Sequence, residues 1–200
     1  MYSPRNIKND LLFSIYNENR SVFKLNDIAM LIGETNFVSL NKRLNYFVQK
    51  GKLLNPRKGI YAKQGYSMNE LACLLYTPSY ISLEYVLQQA GVVFQFNSQI
   101  TAVSYLSRNI EIEGVTLAFR KIKNEVLIDL SGIVTAETGV SMATPERALL
   151  DTLYLSSHYY FDNLNSIDVN LIYRLLPIYQ SKTLTKRVTK LFKDDRFKQA

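Results

Sequence analysis

Residues 26–51, NDIAMLIGETNFVSLNKRLNYFVQKG, decide how the chain is read. A short apolar run (Ile28, Ala29, Leu31, Ile32) ends at Gly33, and Glu34-Thr35-Asn36 has the chemistry of a turn. Apolar residues three or four apart share one face of a helix. Phe37, Leu40, Leu44, Phe47 and Val48 therefore predict a helix over 37–50 with one buried stripe, closed by Gly51. Asn26 is the expected N-cap of the shorter helix, 27–32, and Asp27 suits its positive end. Thr35 or Asn36 caps the longer one, and Ile28, Leu31 and Ile32 are expected to be buried.

On the N-terminal side, residues 5–17 predict a further helix, with Leu11, Leu12, Ile15 and Tyr16 on one face. Val22, Phe23 and Leu25 form a short extended lead-in. On the C-terminal side, residues 52–55 and 59–62 are short apolar segments around Pro56-Arg57-Lys58-Gly59, a turn-forming run, so they predict a β-hairpin. Helix, helix, turn, helix and hairpin is the order of a winged helix-turn-helix, assigned here to residues 1–65.

Gln64-Gly65-Tyr66-Ser67 marks the expected boundary to a second, mixed α+β region, 66–200. It begins with helices over 68–76 and 83–90, the latter capped by Ser82 and ended by Gly91. Runs rich in Val, Ile, Thr, Phe and Tyr predict strands over 100–106, 110–112, 115–122 and 126–130, and residues 132–142 add a further pair. Thr144-Pro145-Glu146 opens a helix over 145–156: Thr144 is the cap and Pro145 the first helical residue. Two more helices, near 168–176 and 182–193, are separated by Pro177. The expected fold class is α+β.

Charge is distributed unevenly. Residues 1–65 hold eleven Lys/Arg against four Asp/Glu, 66–181 hold six against eleven, and 182–200 hold seven against two. A chain basic at both ends and acidic between them suggests a polyanion partner for the basic parts. In the longer helix, Ser39, Asn41, Lys42, Arg43, Asn45, Tyr46, Gln49 and Lys50 fall off the apolar stripe. Arg and Lys pair with guanine acceptors and Asn with adenine, so this face suits a DNA major groove. Ser39, Lys42 and Arg43 are the expected base readers, with Asn36 and Asn41 beside them. Tyr46 and Lys50 are expected to meet the backbone, and Arg57 and Lys58 at the wing tip to meet phosphate or a minor groove. The basic residues Lys182, Lys186, Arg187, Lys190 and Lys193 suggest a second phosphate-contacting surface.

No enzyme, cofactor or metal is expected; the carboxylates a metal-dependent nuclease would use are Glu111, Glu113, Glu146 and Asp151. A single histidine, His158, rules out a multi-histidine metal site, and a single cysteine, Cys73, rules out an internal disulfide. Cys73 sits in an apolar helix and is expected to be a buried, inert thiol. Arg147 and Asp151 are four apart and predict a structural pair; Glu146 suits the helix N-terminus; Glu111 and Glu113 share one face of a strand. With no apolar run long enough to span a bilayer and no signal-peptide core, a cytoplasmic location without membrane contact is expected. Tyr80, Tyr85, Tyr105 and Phe119 leave open an alternative, a winged-helix regulator whose second region senses a ligand.

Several segments together resemble one family, the AbiEi-type antitoxins of type IV toxin–antitoxin (abortive infection) systems. They are Lys52-Leu53-Leu54 with Lys58-Gly59-Ile60-Tyr61, then 80–87 (YISLEYVL) with Gly91, 99–104 (QITAVS), and 143–151 (ATPERALLD). Their order extends over residues ~5–155. The resemblance implies an N-terminal domain that binds inverted repeats in its own promoter and represses transcription. It also implies a second domain that antagonises a toxin with a nucleotidyltransferase fold, without requiring a stable complex. Thr144-Pro145-Glu146-Arg147 is shared as a motif, with no chemical role attached.

Overall fold

The computed structural model describes residues 11–95 and 97–193. The chain is α+β. Residues 5–10 of the expected first helix lie outside the described residues, as do 194–200.

The first elements are α1 (Leu11–Asn17), β1 (Val22–Lys24), α2 (Leu25–Ile32), α3 (Phe37–Gln49), β2 (Leu54–Arg57) and β3 (Ile60–Ala62). The strands form an antiparallel sheet in the order β1-β3-β2. Leu11, Ile15, Phe23, Ile28, Leu40, Leu44, Leu53 and Tyr61 pack between the helices and this sheet as one core. Several local expectations change here. Helix α2 starts earlier than its sequence suggests, because Asp27, not Asn26, organises its end: its carboxylate accepts the Lys24 N–H at 2.9 Å. Leu31 and Ile32 are only half-buried, and Ala29 takes the closer position. Phe37 is exposed, so the stripe on α3 rests on Leu40 and Leu44, with Phe47 and Val48 at its margin. The hairpin is displaced towards its tip. Pro56 lies within β2, an edge strand that tolerates its missing N–H. Only Lys58 and Gly59 turn, with Gly59 at φ 78°.

The remaining elements are α4 (Met68–Leu75), β4 (Ser79–Ile81), α5 (Glu84–Gln89), β5 (Ile100–Ser104), β6 (Arg108–Ile112), β7 (Val115–Lys121), α6 (Asn124–Leu127), β8 (Ile133–Thr135), β9 (Ser141–Ala143), α7 (Pro145–Leu155), α8 (Val169–Leu175), a 3-10 turn (Leu176–Tyr179) and α9 (Lys182–Lys193). A mixed sheet runs β6-β7-β5-β4-β9-β8; β5 is parallel to β7 and antiparallel to β4. Every residue of β5 is buried, as befits a strand covered on both faces.

Three expectations fail in this region. Residues 126–130 do not form a strand: 124–127 are one helical turn, with Lys123 O accepting from Val126 N and Leu127 N at 3.1 and 2.9 Å. A short apolar run does not itself distinguish helix from strand. Strand β4 forms between the helices expected over 68–76 and 83–90, where no strand was expected. Ser82 does not cap α5. Leu83 takes that position at φ 63°, and the fully buried Ser82 hydroxyl donates to Asp151 at 2.7 Å.

The two cores meet. Val22, Ile60 and Ala62 from the small sheet pack into the core of the larger body. Glu70 of α4 accepts from Ser21 N and Val22 N at 2.5 and 3.2 Å, and Ser67 N donates to Ser21 Oγ at 2.9 Å. The expected boundary at 64–67 is thus crossed by apolar packing and by hydrogen bonds.

Candidate nucleic-acid interface

Two short elements present the basic face. Gly33 at φ 68° ends α2, and its left-handed conformation lets the chain reverse into α3. Asn36 caps α3, its Oδ1 accepting Ser39 N at 3.0 Å. Leu40 and Leu44 then pin one side of α3 to the core, which turns Val38, Lys42, Asn45, Tyr46 and Gln49 to the solvent. The β2–β3 hairpin stands beside this helix. Asn55 braces it, with Nδ2 donating to Arg57 O at 3.0 Å and to Ile60 O at 2.6 Å. Between helix and hairpin runs a groove lined by Val38, Asn41, Lys42, Asn45, Lys58 and Tyr61.

The expected contact residues have different roles in this setting. Lys42 and Lys58 are exposed, one on α3 and one at the hairpin tip. Arg43 is exposed but lies 3.7 Å from Glu34, across the turn between the two helices. Tyr46 is exposed, with Lys50 Nζ 5.8 Å from its ring centre. Asn36 is occupied as a cap and Ser39 is half-buried. Asn41 accepts the Tyr61 hydroxyl at 2.6 Å, which ties the helix to the hairpin. Arg57 does not reach outward. Its guanidinium lies 5.9 Å from the ring centre of Tyr76, on the larger body. Burial raises the pKa of Tyr61, keeping its hydroxyl a donor.

Sequence reasoning missed Val38 and Tyr61. Val38 was legible as an apolar residue off the stripe. Tyr61 was not, because its partner on α3 is defined only once the hairpin folds back.

The carboxylates of Glu111, Glu113, Glu146 and Asp151 have other partners or stand apart. Asp151 is fully buried and accepts from Ser82, Tyr179 and Tyr80 at 2.7, 2.7 and 3.1 Å. Burial pushes its carboxyl above the usual range, opposed by Arg147, whose Nε lies 3.6 Å away, and by these hydroxyls. Arg147 also donates to Ser131 O at 2.9 Å and Val126 O at 2.6 Å. Glu146 accepts the Asp168 N–H at 3.0 Å. The TPER motif is therefore a structural knot between α7, β4, α6 and the start of α8. Glu111 is exposed on β6, and Glu113 sits in the following turn at φ 52°. His158 is exposed, with Nδ1 2.8 Å from Ser157 Oγ. Cys73 is buried against Ser141 O at 3.5 Å, and burial raises its pKa. Among the described residues no group of three His, Cys, Asp or Glu side chains is placed to hold a metal. No described helix is long and apolar enough to cross a membrane.

Of the aromatics of the ligand-sensing alternative, Tyr105 and Phe119 share the ring of Tyr76, whereas Tyr80 lies elsewhere. Phe119 meets Tyr76 edge-to-face with ring centres 4.7 Å apart, and Tyr105 meets the same ring edge-to-face at 6.5 Å. Tyr80 instead borders a cleft with Arg20, Glu70, Cys73 and Ser141, where β1 meets the larger body.

The fold is thus an α+β arrangement with a small three-stranded sheet joined to a larger mixed one. No family model and no curated protein matches the sequence. Among solved structures, the Rv2827c protein from Mycobacterium tuberculosis is similar in fold. The TM-score is 0.57 at 12% identity, over 94% of this chain and 76% of that one.

Proposed function

We propose that the chain is a winged helix-turn-helix repressor that binds double-stranded DNA at inverted repeats in its own promoter. The observation that carries this reading is the α2–turn–α3 unit. One side of α3 is pinned to the core, and its free face shows Lys42, Asn45, Tyr46 and Gln49 beside a hairpin tipped by Lys58. A helix with such a face fits a major groove, and a hairpin beside it meets the adjacent backbone. Helix α9 adds exposed Lys182, Lys186, Lys190 and Lys193, with no acidic residue in the helix. Arg187 differs from these lysines: it turns inward and donates to Leu153 O at 2.6 Å at the end of α7.

Following the resemblance to AbiEi-type antitoxins, the larger α+β region counteracts a nucleotidyltransferase-like toxin without forming a stable complex with it. The two roles are tested separately. Full-length protein should shift duplex DNA from upstream of its own gene in preference to scrambled duplex, with affinity falling as salt rises. Lys42→Ala should remove that preference. Equal affinity for both duplexes at every salt concentration would exclude a repressor. Co-expression should relieve growth arrest caused by a nucleotidyltransferase encoded beside this gene, and unrelieved arrest would exclude the antitoxin role.

The cleft bordered by Arg20, Cys73, Tyr80 and Ser141 favours a second reading, a winged-helix regulator with a ligand at this junction. A metabolite that changes operator affinity in the wild type but not after Ser141→Phe would support it.

A further inference from the structure

Resting on the DNA reading of α3, we propose that Val38 and Asn41 together recognise a thymine edge in the major groove. Val38 is 68% exposed in the first turn of α3. Neither core packing nor helix propensity accounts for it there, since a β-branched residue is a weaker helix former than the lysine or glutamine such a face usually carries. Asn41, one turn further on, lines the same groove beside the hairpin.

The state of Asn41 narrows its choice of base. Tyr61, itself only 2% exposed, directs its hydroxyl at Asn41 Oδ1 at 2.6 Å. Asn45 Oδ1 lies 3.2 Å from the same hydroxyl, whose single proton goes to the nearer oxygen. That bond turns the carbonyl end of Asn41 towards β3, and the end turned to the groove is the amide NH2, a donor. An asparagine reading adenine must accept and donate at once. A donor with a neighbouring apolar group matches thymine instead, which presents the O4 acceptor next to its 5-methyl. Cytosine at that place would set an amino donor against the Asn41 amide.

The test uses the full chain and the strongest duplex it selects from a randomised pool. Each dT of a half-site is replaced in turn by deoxyuridine, which lacks only the methyl, or by 5-methyl-dC opposite dG, which keeps the methyl and exchanges acceptor for donor. At one position deoxyuridine should weaken binding by the wild type about fourfold, the equivalent of one buried CH2 at about 0.8 kcal/mol. For Val38→Ala, a surface change, the loss should be under about twofold on the same measure. At that position 5-methyl-dC should cost about tenfold, within the range of a mismatched pair, and Tyr61→Phe, which frees the Asn41 carbonyl, should narrow that cost. Specific binding indifferent to deoxyuridine at every position overturns the thymine assignment and leaves the repressor reading standing. Failure of the pool to yield any preferred duplex overturns both.

Discussion

Lys58 and Arg57 are neighbours in the chain, and both are basic, yet they belong to different interactions. Lys58 is free at the hairpin tip, whereas Arg57 lies over Tyr76. If DNA is bound as proposed, Lys58→Ala should weaken all duplexes alike and reduce the slope of log K against log salt by about one. Arg57→Ala should leave that slope unchanged and lower stability by about 0.5–1 kcal/mol, the worth of a partly exposed cation–π contact, read from the urea midpoint. Equal changes of slope in both variants would show that Arg57 leaves Tyr76 to contact DNA. Cys73 offers a second measurement. Burial raises its pKa above that of an ordinary thiol, so at a given pH it holds less thiolate. Its alkylation in the folded protein should keep accelerating above about pH 10, where a free thiol near pKa 8.5 has levelled off. Rapid alkylation at pH 7 would contradict the buried thiol.

Helix α7 depends on charges that see no water. Arg147 and Asp151 are both fully buried, one turn apart, and are held by Tyr80, Ser82 and Tyr179. Removing one partner strands the other, so Arg147→Met should cost about 3–5 kcal/mol. The raised folded pKa of Asp151 gives the loss a direction with pH. A carboxyl whose pKa rises on folding contributes most below its unfolded value, near 4, and less as pH climbs through the folded one. The variant, lacking the guanidinium that opposes this rise, should lose more stability at pH 7 than at pH 4.5. Equal losses in urea titrations at the two pH values would contradict that account. The i,i+4 spacing of Arg147 and Asp151 was legible in the sequence. The tyrosines were not, because Tyr80 and Tyr179 come from elements 67 and 28 residues away from their partners Arg147 and Asp151.

The molecule is joined through its two sheets rather than by a free linker. Val22, Ile60 and Ala62 belong to the larger core although their strands belong to the smaller sheet. Glu70 accepts two backbone N–H groups across the junction. Folding one part while the other is unfolded would expose this apolar surface and strand Glu70. Calorimetry of the full chain should therefore show one transition with equal calorimetric and van't Hoff enthalpies. Two resolved transitions would show that the parts fold independently. In the proposed repressor, the same junction would carry any movement at the cleft near Arg20 and Cys73 directly to β1 and the DNA-facing unit.

Local chemistry alone determined much of this protein. Gly33 and Gly51 delimit the two central helices, Leu40 and Leu44 orient α3, and Thr144-Pro145 starts α7, because periodicity and capping act within a few residues. The α+β class and most element positions follow from such signals. Tertiary structure decided which basic and polar residues remain available. Arg57 is drawn to Tyr76, Arg43 faces Glu34, Arg187 caps α7 and Asn41 serves Tyr61, each through a partner that neither charge nor spacing reveals. It also decided that 124–127 would be helical, since an apolar run satisfies either form until its surroundings choose. The physical reason is range. Helices and caps are encoded within a turn or two of chain, whereas the donors and cations left free for a partner are what remains after the whole chain has paired its own.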